Sequence, residues 1–142
     1  MIAPDPFERG VLEKLLAGEY EPLRILRSQL AHASVARREM TGVGFFTYFH
    51  FASEITRLAE RRSIIFGDVQ AAMPGLHHGV GFLLYVSDGA LNMLEGYACD
   101  EPWPASIDGF ELSYETGGDR ELAKIVEIFS TRPLNSPRCS RP

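Results

Sequence analysis

A chain of 142 residues with 45% hydrophobic and 23% charged residues has the balance of one folded domain and is too apolar to be disordered over most of its length. Its net charge of −5 includes +3 from Arg132, Arg138 and Arg141 in the last thirteen residues, which hold no acid, so residues 1–129 carry −8. An acidic body repels a phosphate backbone, which argues against a nucleic-acid partner, and no apolar run approaches the ~18–20 residues that a bilayer span needs.

The opening stretch "MIAPDPFERG" lacks a basic region followed by a hydrophobic segment and a small-residue cleavage site, so the expected location is the cytoplasm. Phe7, Val11, Leu12, Leu15 and Leu16 recur at helical spacing behind Asp5, an N-cap residue, and Pro6, which suits a first helical position. Gly18 is the expected stop. Pro22 then suits the first turn of a second helix, in which Leu23, Leu26 and Leu30 form the buried stripe. Helices this short barely hold alone in water, so both need a sheet to lie on.

That sheet is expected between residues 34 and 115. "SVARREM" alternates weakly and leads into "TGVGFFTYFHF", a strand with aromatic residues on both faces. Residues 52–62 form a polar connection, after which "SIIFGDV" resumes the extended pattern. "VGFLLYVS" is apolar on both faces and is expected to be central. Asp88 and Gly89 form a preferred hairpin dipeptide, and "ALNMLEGYA" returns from it. "FELSYE" reads as a last strand. Residues 119–129 fit a C-terminal helix with Leu122, Ile125, Val126 and Phe129 in one stripe, and residues 130–142 read as a disordered basic tail. The expected fold is therefore α+β: one domain over residues 1–129, an antiparallel, mostly meandering sheet of five or six strands, and two N-terminal helices packed on one face.

Chemistry-bearing motifs are sparse. The pairs Gly42 with Gly44 and Gly79 with Gly81 each lead into a strand, so neither supplies a helix N-terminus for a phosphate, and no cofactor is expected. Such glycines more often mark bulges or close approaches. Cys99 and Cys139 lack C-x-x-C spacing and read as ordinary thiols. His77 and His78 are adjacent and point to opposite faces if extended, so they do not share a metal, and no metal site is expected. Glu95 is the unusual residue. Strict alternation sets it on one strand face with Leu91, Met93 and Tyr97, where a carboxylate needs either water or a partner. His78, His77 or His50 could supply one. Trp103, between Pro102 and Pro104, either anchors a ligand or partner or plugs the end of the core.

"TGVGFFTYF" together with "GLHHGVGFLLYVSDGALNMLEGYACDEPWP" resembles a group of small uncharacterised bacterial proteins. They share the patterns T-G-V-G-F-F, G-L-x-H-G-x-G-F-x-L and D-G-x-L-x-x-L-E-G-Y, with W-P beyond. The resemblance covers residues 34–114 and includes Thr41, His78, Asp88, Glu95, Tyr97 and Trp103. It implies a compact bacterial cytosolic domain and assigns no catalytic residue.

Two functional readings follow. The first is a non-enzymatic protein-interaction module, of the immunity or toxin-neutralising type, whose acidic body speeds encounter with a basic partner such as a nuclease. The second is a small-molecule or metal-binding domain, hydrolytic in one version, centred on Glu95 and His78 with Tyr97, Trp103 and His50 nearby. A homodimer through the edge strand at residues 34–40 is a further expectation.

Overall fold

The computed structural model describes residues 2–130. The segment expected to be a disordered tail lies outside the described residues from 131 onward. Two helices, α1 (Pro6–Leu15) and α2 (Glu21–Leu30), precede seven strands, β1 (Ser34–Met40), β2 (Gly44–His50), β3 (Ile64–Phe66), β4 (Val69–Ala72), β5 (Val80–Ser87), β6 (Ala90–Ala98) and β7 (Glu111–Tyr114), and α3 (Leu122–Ser130) follows. The fold is α+β with an open, wholly antiparallel sheet in the order β1-β2-β6-β5-β4-β7, β3 also lying on β5. β3 and β4 share one track. Phe66 pairs with Leu84 and Gln70 with Gly81, so four steps on one side meet three on the other, and the extra residue bulges out at Gly67 and Asp68. Seven strands thus fill six tracks.

The path is a meander except at two steps, because after β6 the chain also skips two tracks to reach β7 beside β4. After β2 the chain skips two tracks, and β6 returns to pair with β2. The connecting residues 51–63 round the end of the β5–β6 hairpin, where the Leu58 N–H donates to Gly89 O at 3.0 Å and Arg61 and Arg57 reach the Asp88 carboxylate at 3.2 and 3.5 Å. The turn itself needs positive φ at two positions, and Asp88 (52°) and Gly89 (74°) supply it.

One face of the sheet carries Phe45, Thr47, Leu94, Phe82, Leu84 and Phe66, which sit opposite one another across the ladders and are buried. α1 meets that face: the Phe7 ring lies 6.2 Å from Phe45 and 5.7 Å from Phe82. α3 meets it through Phe129, 5.3 Å from Phe66. α2 contributes Leu23, Leu26 and Leu30 to the same core, each such leucine stabilising the fold by about 1.5–3 kcal/mol. Its Gln29, 1% exposed, is fixed by three bonds: Nε2 donates to Thr56 O (2.8 Å) and Gly89 O (3.0 Å), and Oε1 accepts from the Leu91 N–H (2.9 Å). The capped start of α1 is tied in the same way. Asp5 and Glu8 form a reciprocal capping box, the Glu8 carboxylate receives two bonds from Arg38 (2.6 and 2.8 Å), and the Thr47 hydroxyl donates a further one.

The other end of α1 is locked by a second paired charge. Arg120 makes two bonds to Asp68 (2.7 and 2.8 Å) and donates to Ala17 O, while the Tyr114 hydroxyl donates to Lys14 O. Strand β7, helix α1 and the approach to α3 meet there.

Two expectations are corrected. Leu91 does not share a face with Met93, Glu95 and Tyr97. Tyr85 pairs with Met93 and Val86 with Leu91, so Asn92 is an extra residue that turns Leu91 into the core, where it is 3% exposed. Cys99 is not a free thiol but is disulfide-bonded. Cys139 lies outside the described residues.

Candidate functional site

The residues singled out in the sequence fall in three places. Glu95 and Tyr97 share the second face of the sheet with Phe46, Tyr48, Leu83, Tyr85 and Met93. Glu95 is 3% exposed, lies between Phe46 and Leu83 on its rung, and accepts a bond from the Tyr85 hydroxyl at 2.9 Å. It has a further contact beyond this bond. The Tyr97 ring lies over Gly81, where an added Cβ would come within 2.6 Å of it, so the second G-x-G piece marks a close approach. His50 ends β2 on that face, opposite Ser34, and is exposed.

His78 is elsewhere. Val80 pairs with Ala98 and Leu83 with Glu95, which sets the start of β5 about 10 Å along the sheet from Glu95, and His78 precedes it by two residues. The structure therefore does not bring Glu95 and His78 together. What holds His77 and His78 is Glu101: its two carboxylate oxygens accept the backbone N–H groups of His77 and His78, each at 2.9 Å. Those two bonds, with the nearby imidazoles, hold the Glu101 carboxyl below the usual carboxylate range. Both imidazole-bearing residues are exposed. Among the described residues no group of three or more His, Cys, Asp or Glu is arranged to hold a metal ion.

Trp103 lies at the third place, which the sequence did not reveal as a cluster. The Glu101 clasp fixes the turn before it, and its own N–H donates to Gly42 O at 2.8 Å, drawing the segment against the β1–β2 hairpin. The indole packs 5.2 Å from Phe45 and 6.5 Å from Phe7, edge to face in both cases. Phe110, at the entry to β7, sets its ring 4.9 Å from Phe7 and remains 40% exposed. Met40 is paired with Phe45 across the β1–β2 ladder and is 65% exposed; Val43, in the turn, is 48% exposed. Trp103, half-buried, thus packs on the buried rings of Phe45 and Phe7, and with the exposed Met40 and Phe110 beside those rings it marks an apolar ridge.

Carboxylates surround this ridge. Asp5 caps the helix that carries Phe7, Asp100 and Glu101 precede Trp103, and Asp108 and Glu111 flank Phe110. Arg38 is engaged by Glu8 and, at 3.8 Å, by Asp5. Burial pushes the Glu8 carboxyl up, but bonds from Arg38, Thr47 and the Asp5 N–H, together with the guanidinium charge, outweigh it and hold the group below the usual carboxylate range. Beside the ridge, Met73, Pro74, Pro104, Ser106, Ile107, Asp108 and Gly109 line a cavity of ≈ 30 Å³, which is the room of about one water molecule.

Sequence reasoning found Trp103 because it is the one tryptophan and stands between prolines. Met40 and Phe110 carry no local signal; their neighbours come from strand register and from the far end of the chain. No family model, no curated protein and no solved structure matches this chain.

Proposed function

We propose that the protein is a non-enzymatic interaction module that binds a basic protein through the apolar ridge at Trp103. The observation that carries this reading is the exposure of large apolar side chains, Met40 at 65%, Val43 at 48% and Phe110 at 40%, around a half-buried tryptophan. A contiguous apolar patch with a polar rim is the usual form of a docking surface, and a rigid aromatic at its centre loses little entropy on binding. The rim here is acidic: Asp5, Asp100, Glu101, Asp108 and Glu111 set the sign of the partner and speed encounter with it. An immunity protein that neutralises a basic toxin fits these requirements.

The test is capture with the immobilised full chain and with a Met40→Ser, Phe110→Ser double variant, whose changed residues are exposed and leave the core intact. The expected result is a basic protein from the source organism that the wild type retains, that salt releases, and that the double variant fails to hold. Retention of nothing above the bare matrix, or equal retention by both proteins, refutes the reading.

A further inference from the structure

The outer edge of the sheet at β1 runs between two fixed points. At one end Ile2 occupies the neighbouring track, its C=O accepting the Val35 N–H at 2.7 Å, and at the other the β1–β2 turn closes with the Thr41 N–H on Gly44 O at 3.0 Å. The Thr41 bond decides which backbone groups face outward. Hydrogen-bonded and non-hydrogen-bonded pairs alternate along an antiparallel ladder, so beyond Thr41 and Gly44 the bonds to β2 fall on Glu39 with Phe46 and on Arg37 with Tyr48. The N–H and C=O groups of Arg38 and Met40 therefore point away from β2. Among the described residues no strand lies beyond them.

Such an edge is a template for another strand, and its side chains say which strand fits. A copy of β1 laid antiparallel about a two-fold axis at Arg38 sets Arg38 against its own mate and lets their outward backbone groups exchange two bonds. The same axis sets Arg37 against the partner subunit's Glu39, and Glu39 against the partner subunit's Arg37. Both of these pairs fall at non-hydrogen-bonded positions, where facing side chains come closest. Arg37 and Glu39 already stand together on the second face, paired with each other, the guanidinium 3.9 Å over the Tyr48 ring. In the pairing they merge with their mates into one alternating ring of charges. The like charges at Arg38 are offset, since each guanidinium carries the Glu8 carboxylate on bonds of 2.6 and 2.8 Å. The axis also accounts for the two most exposed large apolar residues among those described, Met40 at 65% and Ile2 at 60%. It places Met40 of one copy opposite Ala36 of the other, next to the Val35 position that Ile2 covers, so each end of the pairing shields an Ile2–Met40 contact from water.

We propose that the protein pairs with a second copy of itself through β1, the two sheets joining antiparallel across a two-fold axis at Arg38. The interface is isologous, so it closes as a dimer and does not propagate. Ile2 and the bulge at Ala36 limit the overlap to residues 36–40. An overlap this short buries less than ~1,200 Å² in total, which places the dimer in the transient class, forming and dissociating with concentration. Met40 borders the Trp103 ridge, but the pairing uses neither Trp103 nor Phe110.

The experiment is sedimentation velocity on the full chain over about a hundredfold range of concentration, with the variants Arg37→Glu, Glu39→Arg and Phe110→Ser. The expected result for the wild type is a monomer–dimer equilibrium. Arg37→Glu and Glu39→Arg each set like charges opposite one another at both pairs, and each should dimerise at least about tenfold more weakly. An equimolar mixture of these two variants restores opposite charges at both pairs and should form a dimer where neither does alone, a rescue that misfolded variants would not give. Phe110→Ser should associate as the wild type does, which separates pairing at β1 from self-association at the ridge. A wild type that stays monomeric throughout, charge variants that dimerise as the wild type does, a mixture that forms no dimer, or a dimer lost in Phe110→Ser would overturn the proposal.

Discussion

Removing one partner of the Glu8–Arg38 pair should have unequal effects depending on which partner goes. Glu8 is 3% exposed as a side chain and Arg38 is 32% exposed. In Arg38→Met the aliphatic stem is kept, but a buried carboxylate is left with only the Thr47 hydroxyl and the Asp5 N–H, and breaking a buried pair in this way costs about 3–5 kcal/mol. In Glu8→Gln the capping box survives, because glutamine serves at that position, and the stranded guanidinium can turn to water; about 1–3 kcal/mol is expected. The pH dependence separates the two further. In the wild type the Glu8 pKa is depressed, so its contribution is full above the unfolded-state value and is lost as pH falls through the folded-state value. In Arg38→Met the guanidinium's bonds and charge are gone while the Thr47 and Asp5 bonds stay, so the Glu8 pKa rises from its depressed wild-type position and the gap to the wild type narrows as pH falls. The assay is urea unfolding at pH 7 and pH 5, followed by Trp103 fluorescence, since the indole packs against Phe7, two residues from the cap Asp5. A Glu8→Gln variant less stable than Arg38→Met at pH 7, or a gap between wild type and Arg38→Met that does not narrow at pH 5, would refute the reasoning.

Other consequences are simpler. Gln29→Ala strands the Leu91 N–H and the Thr56 carbonyl and leaves Gly89 O with the Leu58 N–H alone, and a loss of about 2–4 kcal/mol is expected in the same unfolding assay; a loss under about 1 kcal/mol would mean that water replaces the amide. Gly81→Ala forces a methyl against the Tyr97 ring, with a cost of about 1–3 kcal/mol by thermal melting, and a neutral result would show that the ring moves freely. Glu101 has a depressed pKa, so its clasp holds above the unfolded value and opens as pH falls through the lowered one. The amide proton shifts of His77 and His78 should follow one titration below the usual carboxylate range; shifts that instead follow an imidazole near neutrality would contradict the clasp.

Local signals carried the elements, and long-range pairing carried what they left open. The apolar spacing of Phe7, Val11, Leu12 and Leu15 marks α1, and Asp88 with Gly89 marks the β5–β6 turn, because both depend on residues a few positions apart. The neighbouring of β2 and β6 does not, since nearly fifty residues separate them. Alternation failed at Asn92, where one bulged residue moves Leu91 to the other face. Glu95 was legible as an odd carboxylate, yet the expected histidine partner is replaced by the Tyr85 hydroxyl, which register alone brings near. The ridge was legible only at Trp103. Met40 and Phe110 both read as ordinary strand residues until Phe45 and Phe7 are placed beside them.

The most direct measurement is hydrogen exchange by mass spectrometry on the full chain, alone and with the captured basic partner bound. Docking at the ridge predicts slowed exchange confined to residues 40–43 and 99–111, with the β5–β6 hairpin turn unchanged. Slowing centred on the hairpin turn or on α3, with residues 40–43 and 99–111 unaffected, would contradict it.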